Sequence, residues 1–145
     1  MQQQAIYDQL SAILRDLFDD ETLVALNLYC EARGEPEEGQ EAVMWVVKNR
    51  VDHPRWWGKD IHSVILTPCQ FSWTSTANPE HIDPAHLPDL TKFRAIVQGV
   101  LSGEIPNPVN GANLYFADYM RPWPAWAFNT KFVIQIGQHR FHQEA

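Results

Sequence analysis

The sequence has little cysteine, no run of cationic residues and no long apolar segment. Cys30 and Cys69 are the two cysteines, too few for a disulfide framework. A pairing and two free thiols both stay open; free thiols are the expectation, because nothing else signals an oxidising compartment. The 11 Lys and Arg residues are scattered among 18 Asp and Glu residues, for a net charge of −7 at pH 7. Without a basic stripe, a nucleic-acid partner is not expected. No apolar run approaches the ~20 residues that span a bilayer, so membrane insertion is not expected. Residues 1–20 lack the basic start and apolar core of a signal peptide, and a cytoplasmic location as synthesised is expected. No HExxH or paired-cysteine motif is present, so neither a metal nor a cofactor is expected.

What remains is a globular balance. Hydrophobic residues make up 45% and charged residues 20% of the 145 residues, enough for one domain with its own core. The six tryptophans and ten prolines are many for this length. Several of the tryptophans fall in stretches rich in Pro and Gly, which suits a wet aromatic groove as well as a core.

Helical spacing of Ile6, Leu10, Ile13, Leu14 and Leu17 predicts a first helix over residues 4–18. Asp19, Asp20, Glu21 and Thr22 predict a cap and acidic first turn for a second helix. That helix should end near Arg33, with Gly34 as a left-handed residue past its end. Pro36 predicts the first turn of a third helix, which breaks at Asp52-His53-Pro54. A short helix over 61–66 capped by Asp60, and a further one around Phe93, Ile96, Val97, Val100 and Leu101 that stops at Gly103, complete the helical set. Gln70 to Trp73 reads as extended, and residues 74–88 as tight turns. Residues 112–116 and 132–136 read as strands, with an aromatic loop, Arg121 to Trp126, between them. The class is α+β, mostly helical, with a few short strands. The domain division is an N-terminal helical extension over 1–20 and a main domain over 21–145.

Glu31 sits in the last turn of the second helix, where the helix dipole disfavours a carboxylate. Partial burial beside aromatic rings pushes the same way. Both raise its pKa toward the range of a general acid near neutral pH. The ordinary alternative is a surface glutamate beside a solvated Arg33. Glu35, just before Pro36, is better suited to capping the third helix than to catalysis. Asp83, Asp89 and Asp118 lie in or near loops, and nothing selects one of them as a second carboxylate. His81, Asp83 and His86 cluster in a loop but fall short of a zinc site, which needs three or four convergent ligands. The Trp56-Trp57 pair reads either as a rim or as a hydrophobic lid over the third helix. Tyr115 and Trp126 either present flat faces to a ligand or pack internally.

Tyr29-Cys30-Glu31-Ala32-Arg33-Gly34-Glu35-Pro36, Gly39-Gln40, Ala42-Val43 and Asn49-Arg50-Val51 occur in that order. Gln70-Phe71-Ser72-Trp73, Ala112-Asn113-Leu114-Tyr115-Phe116 and Ile136-Gly137-Gln138-His139-Arg140-Phe141 follow. Over residues 22–142 this series resembles the cell wall hydrolase family of the spore-cortex-lytic type. The resemblance implies a lysozyme-like single domain related to the lytic transglycosylases. It also implies cleavage between N-acetylmuramic acid and N-acetylglucosamine in peptidoglycan glycan strands. It places the catalytic glutamate at Glu31, with Arg33, Glu35 and His139 in support. Gln70, Ser72, Trp73 and Tyr115 are the candidate substrate-binding residues; Phe71 suits the core, and Trp73 either core or groove. Cys30 departs from the small residue expected there. With no export signal or separate wall-binding domain recognisable, the expectation is a bacteriophage endolysin or virion-associated lysin, reaching the wall after release by another factor. A hydrolytic muramidase, a metal-dependent amidase and a non-catalytic glycan-binding module are the alternatives.

Overall fold

The computed structural model describes residues 12, 18–66, 85 and 87–145. The expected first helix and most of the 1–20 extension lie outside the described residues. So do Cys69, Gln70, Phe71, Ser72, Trp73, His81, Asp83 and His86.

The order of elements is α1 (Asp20–Ala32), α2 (Glu37–Asp52), α3 (Ile61–Leu66), α4 (Thr91–Ser102), β1 (Leu114–Ala117), a 3-10 turn (Ala125–Phe128), β2 (Lys131–Ile136) and β3 (His139–Gln143). Among the described residues this is a mostly helical α+β arrangement. α1 is buried from Thr22 to Leu28 without a polar face, as befits a central helix. It packs against α2, α3 and α4. The Asp19 carboxylate starts it by accepting from Thr22 N–H at 2.8 Å, which satisfies one of the orphan donors of the first turn.

The end of α1 departs from expectation. Gly34 is not left-handed; the glycines with positive φ are Gly58, Gly103 and Gly137. Arg33 stays right-handed at the C-cap, and Glu35 N–H turns back onto the Ala32 carbonyl at 2.9 Å. The chain makes a tight corner straight into α2, with Pro36 at its cap position. Gln40 braces that corner from inside, donating from Nε2 to the carbonyls of Ala32 at 3.3 Å and Glu35 at 3.1 Å. Gly39 lets the corner meet the sheet: a Cβ there would lie 3.3 Å from Glu35 Cβ and 3.7 Å from Ile136 Cγ2.

α3 forms where expected, with Ser63 N–H donating to the Asp60 carboxylate at 2.8 Å. α4 ends at Gly103 with φ of 86°, the left-handed stop that glycine adopts at no steric cost. Leu101, expected on its apolar face, is exposed, because the buried stripe is Phe93, Ile96, Val97, Gly99 and Val100.

The sheet has the order β1-β3-β2, antiparallel throughout. Its central strand β3 was not foreseen. His139, Phe141 and His142 are its buried residues; two of the three are polar and they fall on both faces of the strand, so the hydrophobic alternation is lost. Gly137 opens the two-residue β2–β3 turn with φ of 58°, which was the available signal.

α2 ties the helices to the sheet. Asn49 Nδ2 donates to the carbonyls of Asn110 at 2.8 Å and Ala112 at 2.9 Å. Arg50 Nε donates to the Asn113 carbonyl at 2.7 Å. These buried bonds hold the segment that leads into β1, and so set where Tyr115 stands.

Candidate active site

Glu31 is the penultimate residue of α1. Tyr115 is the second residue of β1, paired with Phe141 on β3. The Tyr115 hydroxyl donates to Glu31 Oε1 at 2.8 Å, joining residues 84 positions apart in sequence. The Tyr115 ring lies 5.0 Å from the His139 ring and 5.7 Å from the Phe141 ring, so packing fixes the phenol that reaches Glu31.

Two effects on the Glu31 carboxyl oppose each other. Burial disfavours its charged form, and the Tyr115 hydrogen bond favours it. Burial wins, and the pKa stands above the usual carboxylate value. Burial and the neighbouring Glu31 push the Tyr115 phenol well above its ordinary value, so it stays a donor. Burial likewise raises the Cys30 thiol to about 11, which makes it a poor nucleophile near neutral pH.

Glu31 and Tyr115 line a cleft of about 270 Å³ together with Arg50, Trp56, Trp126 and Glu144 among others. Burial lowers Arg50 to about 10, so its guanidinium is still charged near neutral pH. It places a buried positive charge beside this cleft. Trp126 meets Phe116 and His142 edge-on at 5.4 and 5.7 Å, so it both packs and lines the cleft. The tryptophan pair divides its two readings. Trp57 is fully buried, its indole N–H donating to the Arg50 carbonyl at 2.9 Å, whereas Trp56 is 51% exposed on the cleft wall.

The supporting residues take other places. Arg33 is exposed, folds back onto the Tyr29 carbonyl at 3.3 Å and does not line this cleft. Glu35 accepts from Gln138 N–H at 2.9 Å and lies 3.6 Å from His139 Nδ1. It therefore braces the β2–β3 turn. His139 contributes its ring against Tyr115, with its imidazole pKa lowered chiefly by burial. Gln70, Ser72 and Trp73 lie outside the described residues.

Of the acidic candidates, Asp89 accepts from Thr91 N–H at 3.0 Å just ahead of α4, and Asp118 accepts from Gln135 Nε2 at 2.6 Å. Neither lines the cleft. The cleft's second carboxylate is Glu144, which the sequence reading missed. Its position follows from a tertiary pairing with Arg55 and Trp56, for which no local pattern exists.

The fold is shared with the catalytic domains of cell-wall lytic enzymes. The catalytic domain of the germination-specific lytic transglycosylase SleB from Bacillus anthracis superposes with a TM-score of 0.70 and 25% identity, over 88% of this chain and 98% of that one. The catalytic domain of the Bacillus cereus SleB protein gives 0.71 and 27%, over 86% and 89%. The chain belongs to the cell wall hydrolase family, whose sequence profile matches residues 34–142. That span opens three residues after Glu31. The spore cortex-lytic enzymes of Halalkalibacterium halodurans and Oceanobacillus iheyensis are 33% and 32% identical over 123 residues, 85% of this chain. The chain spans 34% and 41% of the length of these two relatives.

Proposed function

We propose that this domain is a peptidoglycan glycosidase that cleaves the β-1,4 bond between N-acetylmuramic acid and N-acetylglucosamine as a lytic transglycosylase. The observation that carries the reading is Glu31, a half-buried carboxyl with a raised pKa, held by Tyr115 on the wall of an open cleft. In this reading the protonated Glu31 gives its proton to the glycosidic oxygen as that bond breaks. The C6 hydroxyl of the muramic acid residue then attacks its own anomeric carbon and closes a 1,6-anhydro ring. The Glu31 carboxylate takes the hydroxyl proton and is reset. Intramolecular attack provides the positioning that a bound water would otherwise need, so one carboxylate is sufficient. The Tyr115 hydrogen bond holds the carboxyl in place through both proton transfers. Gln70, Ser72 and Trp73 belong to this proposal as substrate contacts on motif grounds.

One observation favours a second reading. Glu144 also lines the cleft, and a second carboxylate is what a hydrolytic muramidase uses to activate water. Against it, Glu144 is engaged by the Trp56 indole at 3.2 Å and by Arg55 at 3.8 Å. Mass spectrometry of the soluble products from purified peptidoglycan separates the two. 1,6-Anhydromuramic ends are expected; reducing muramic ends would establish hydrolysis, and free peptides would overturn both readings. The biological setting, a bacteriophage lysin, rests on the sequence reading, whereas the two curated relatives are named for the spore cortex. Comparing rates on vegetative wall and on spore cortex tests it; preference for vegetative wall is expected, and preference for cortex would overturn it.

A further inference from the structure

Trp56 is unusual among the large apolar side chains. It is 51% exposed, yet its ring is held on several sides. Its indole N–H donates to Glu144 Oε1 at 3.2 Å. Its ring meets buried Trp57 edge-on, with centroids 5.1 Å apart. The Arg50 guanidinium lies 5.9 Å from the ring centroid. Glu144 is fixed in turn: its backbone N–H donates to Asn113 Oδ1 at 2.8 Å, and its carboxylate lies 3.8 Å from Arg55. Trp56 and Glu144 both line the cleft that contains Glu31.

The exposed half of an aromatic ring gains nothing from burial in the fold. Holding it in one orientation costs side-chain entropy. That cost is recovered when a ligand meets a platform already in place. A tryptophan face is apolar and flat, and it suits the C–H face of a pyranose ring. The hydrogen bond runs through the indole edge and so covers neither face of the ring. We propose that Trp56, oriented by Glu144, is a sugar-stacking platform that seats an N-acetylhexosamine ring beside Glu31. The remaining Glu144 oxygen is an acceptor for a hydroxyl or acetamido N–H of the same sugar. This inference rests on the glycosidase reading and assigns that cleft a binding residue outside the family-type motifs.

The test measures binding of soluble, peptide-free peptidoglycan glycan strands by calorimetry, with every variant built on Glu31→Gln so that the strands stay intact. Trp56→Ala is expected to weaken binding about tenfold, Trp56→Phe and Glu144→Gln about threefold, each with an unchanged melting midpoint. In parallel, indole oxidation by N-bromosuccinimide is mapped by mass spectrometry on the unaltered chain, in a pulse short against the time of glycan cleavage. Protection of Trp56 by saturating strands is expected, and this readout does not depend on any variant folding. Unchanged affinity in folded Trp56→Ala, or equal oxidation with and without strands, overturns the platform alone. Strands that are neither bound nor cleaved by the unaltered chain overturn the glycosidase reading and the platform with it.

Discussion

Glu31 and Glu35 stand four residues apart on one corner of the chain, and the two regions around them do different work. Around Glu31, the partners are a phenol and a cleft. Around Glu35, they are the backbone N–H of Gln138, the imidazole of His139 and the closely approaching Gly137. One region places a carboxyl where it is partly desolvated but still reachable. The other uses a carboxylate as a cross-link between the α1–α2 corner and the β2–β3 turn. The residue type is the same, so the job is set by what the sheet brings opposite each side chain. The two regions are coupled, because the strand that follows Gly137 carries His139 and Phe141, which hold the Tyr115 ring.

The largest effect should separate them by activity. Glu31→Gln is expected to lower the rate of glycan release by about 10²–10⁴-fold, the usual contribution of a general acid. Its melting midpoint at neutral pH should be unchanged or higher. The reason is the sign of the linkage: Glu31 has a raised pKa in the fold, so ionising it above that pKa opposes folding. A large loss of stability in that variant would break the distinction.

Glu35→Ala should do the reverse. It removes the exposed hydrogen bond from Gln138 N–H and the carboxylate facing His139, and about 0.5–1.5 kcal/mol of stability should be lost in denaturant melts. Gly137→Ala tests the same brace from the other side. A Cβ there would lie 2.7 Å from Glu35 Oε1 and 2.9 Å from Pro36 Cδ, at a φ of 58°, and about 1–3 kcal/mol should again be lost. Full stability in both variants would remove the brace from the account.

Smaller effects concern protons. Tyr115→Phe removes the hydrogen bond that lowers the Glu31 pKa. The alkaline limb of the pH–rate profile should therefore move upward. A downward shift would contradict the assigned donor. Burial lowers the pKa values of His139 and His142 in the fold. The unfolded chain then takes up protons first, so stability should fall as pH drops below about 6.5 and through the lowered values. His139→Gln should flatten part of that fall in thermal melts.

Much of this was legible before the structure. The Asp19 cap, the Asp60 cap and the Gly103 stop are local events, and local chemistry announces them. The helical part of α+β follows from apolar spacing in α2 and α4. Glu31 could be singled out through its motif, but its helix-end position alone left an ordinary surface glutamate open. Three features escaped. The Gly34 reading failed because the chain turns directly into α2 through a bond to the Ala32 carbonyl. β3 escaped because His139 and His142 occupy buried positions, one on each face, where apolar residues were sought. Glu144 escaped because its partners, Arg55 and Trp56, lie 89 and 88 residues away in sequence. The motif residues Gln40, Asn49 and Arg50 were recognised as a pattern, and the structure supplies their physical reason: each donates to backbone carbonyls that position the corner or the β1 approach.

The central claim is that Glu31 is a proton donor near neutral pH, and its own titration tests this most directly. The measurement is carboxyl-carbon NMR of glutamate-labelled protein, with the Glu31 signal assigned by its loss in Glu31→Gln. A midpoint above the ordinary glutamate value of about 4.3, coinciding with the alkaline limb of glycan release, is the expected result. A midpoint at or below that value, or an activity limb that does not follow it, would contradict the account.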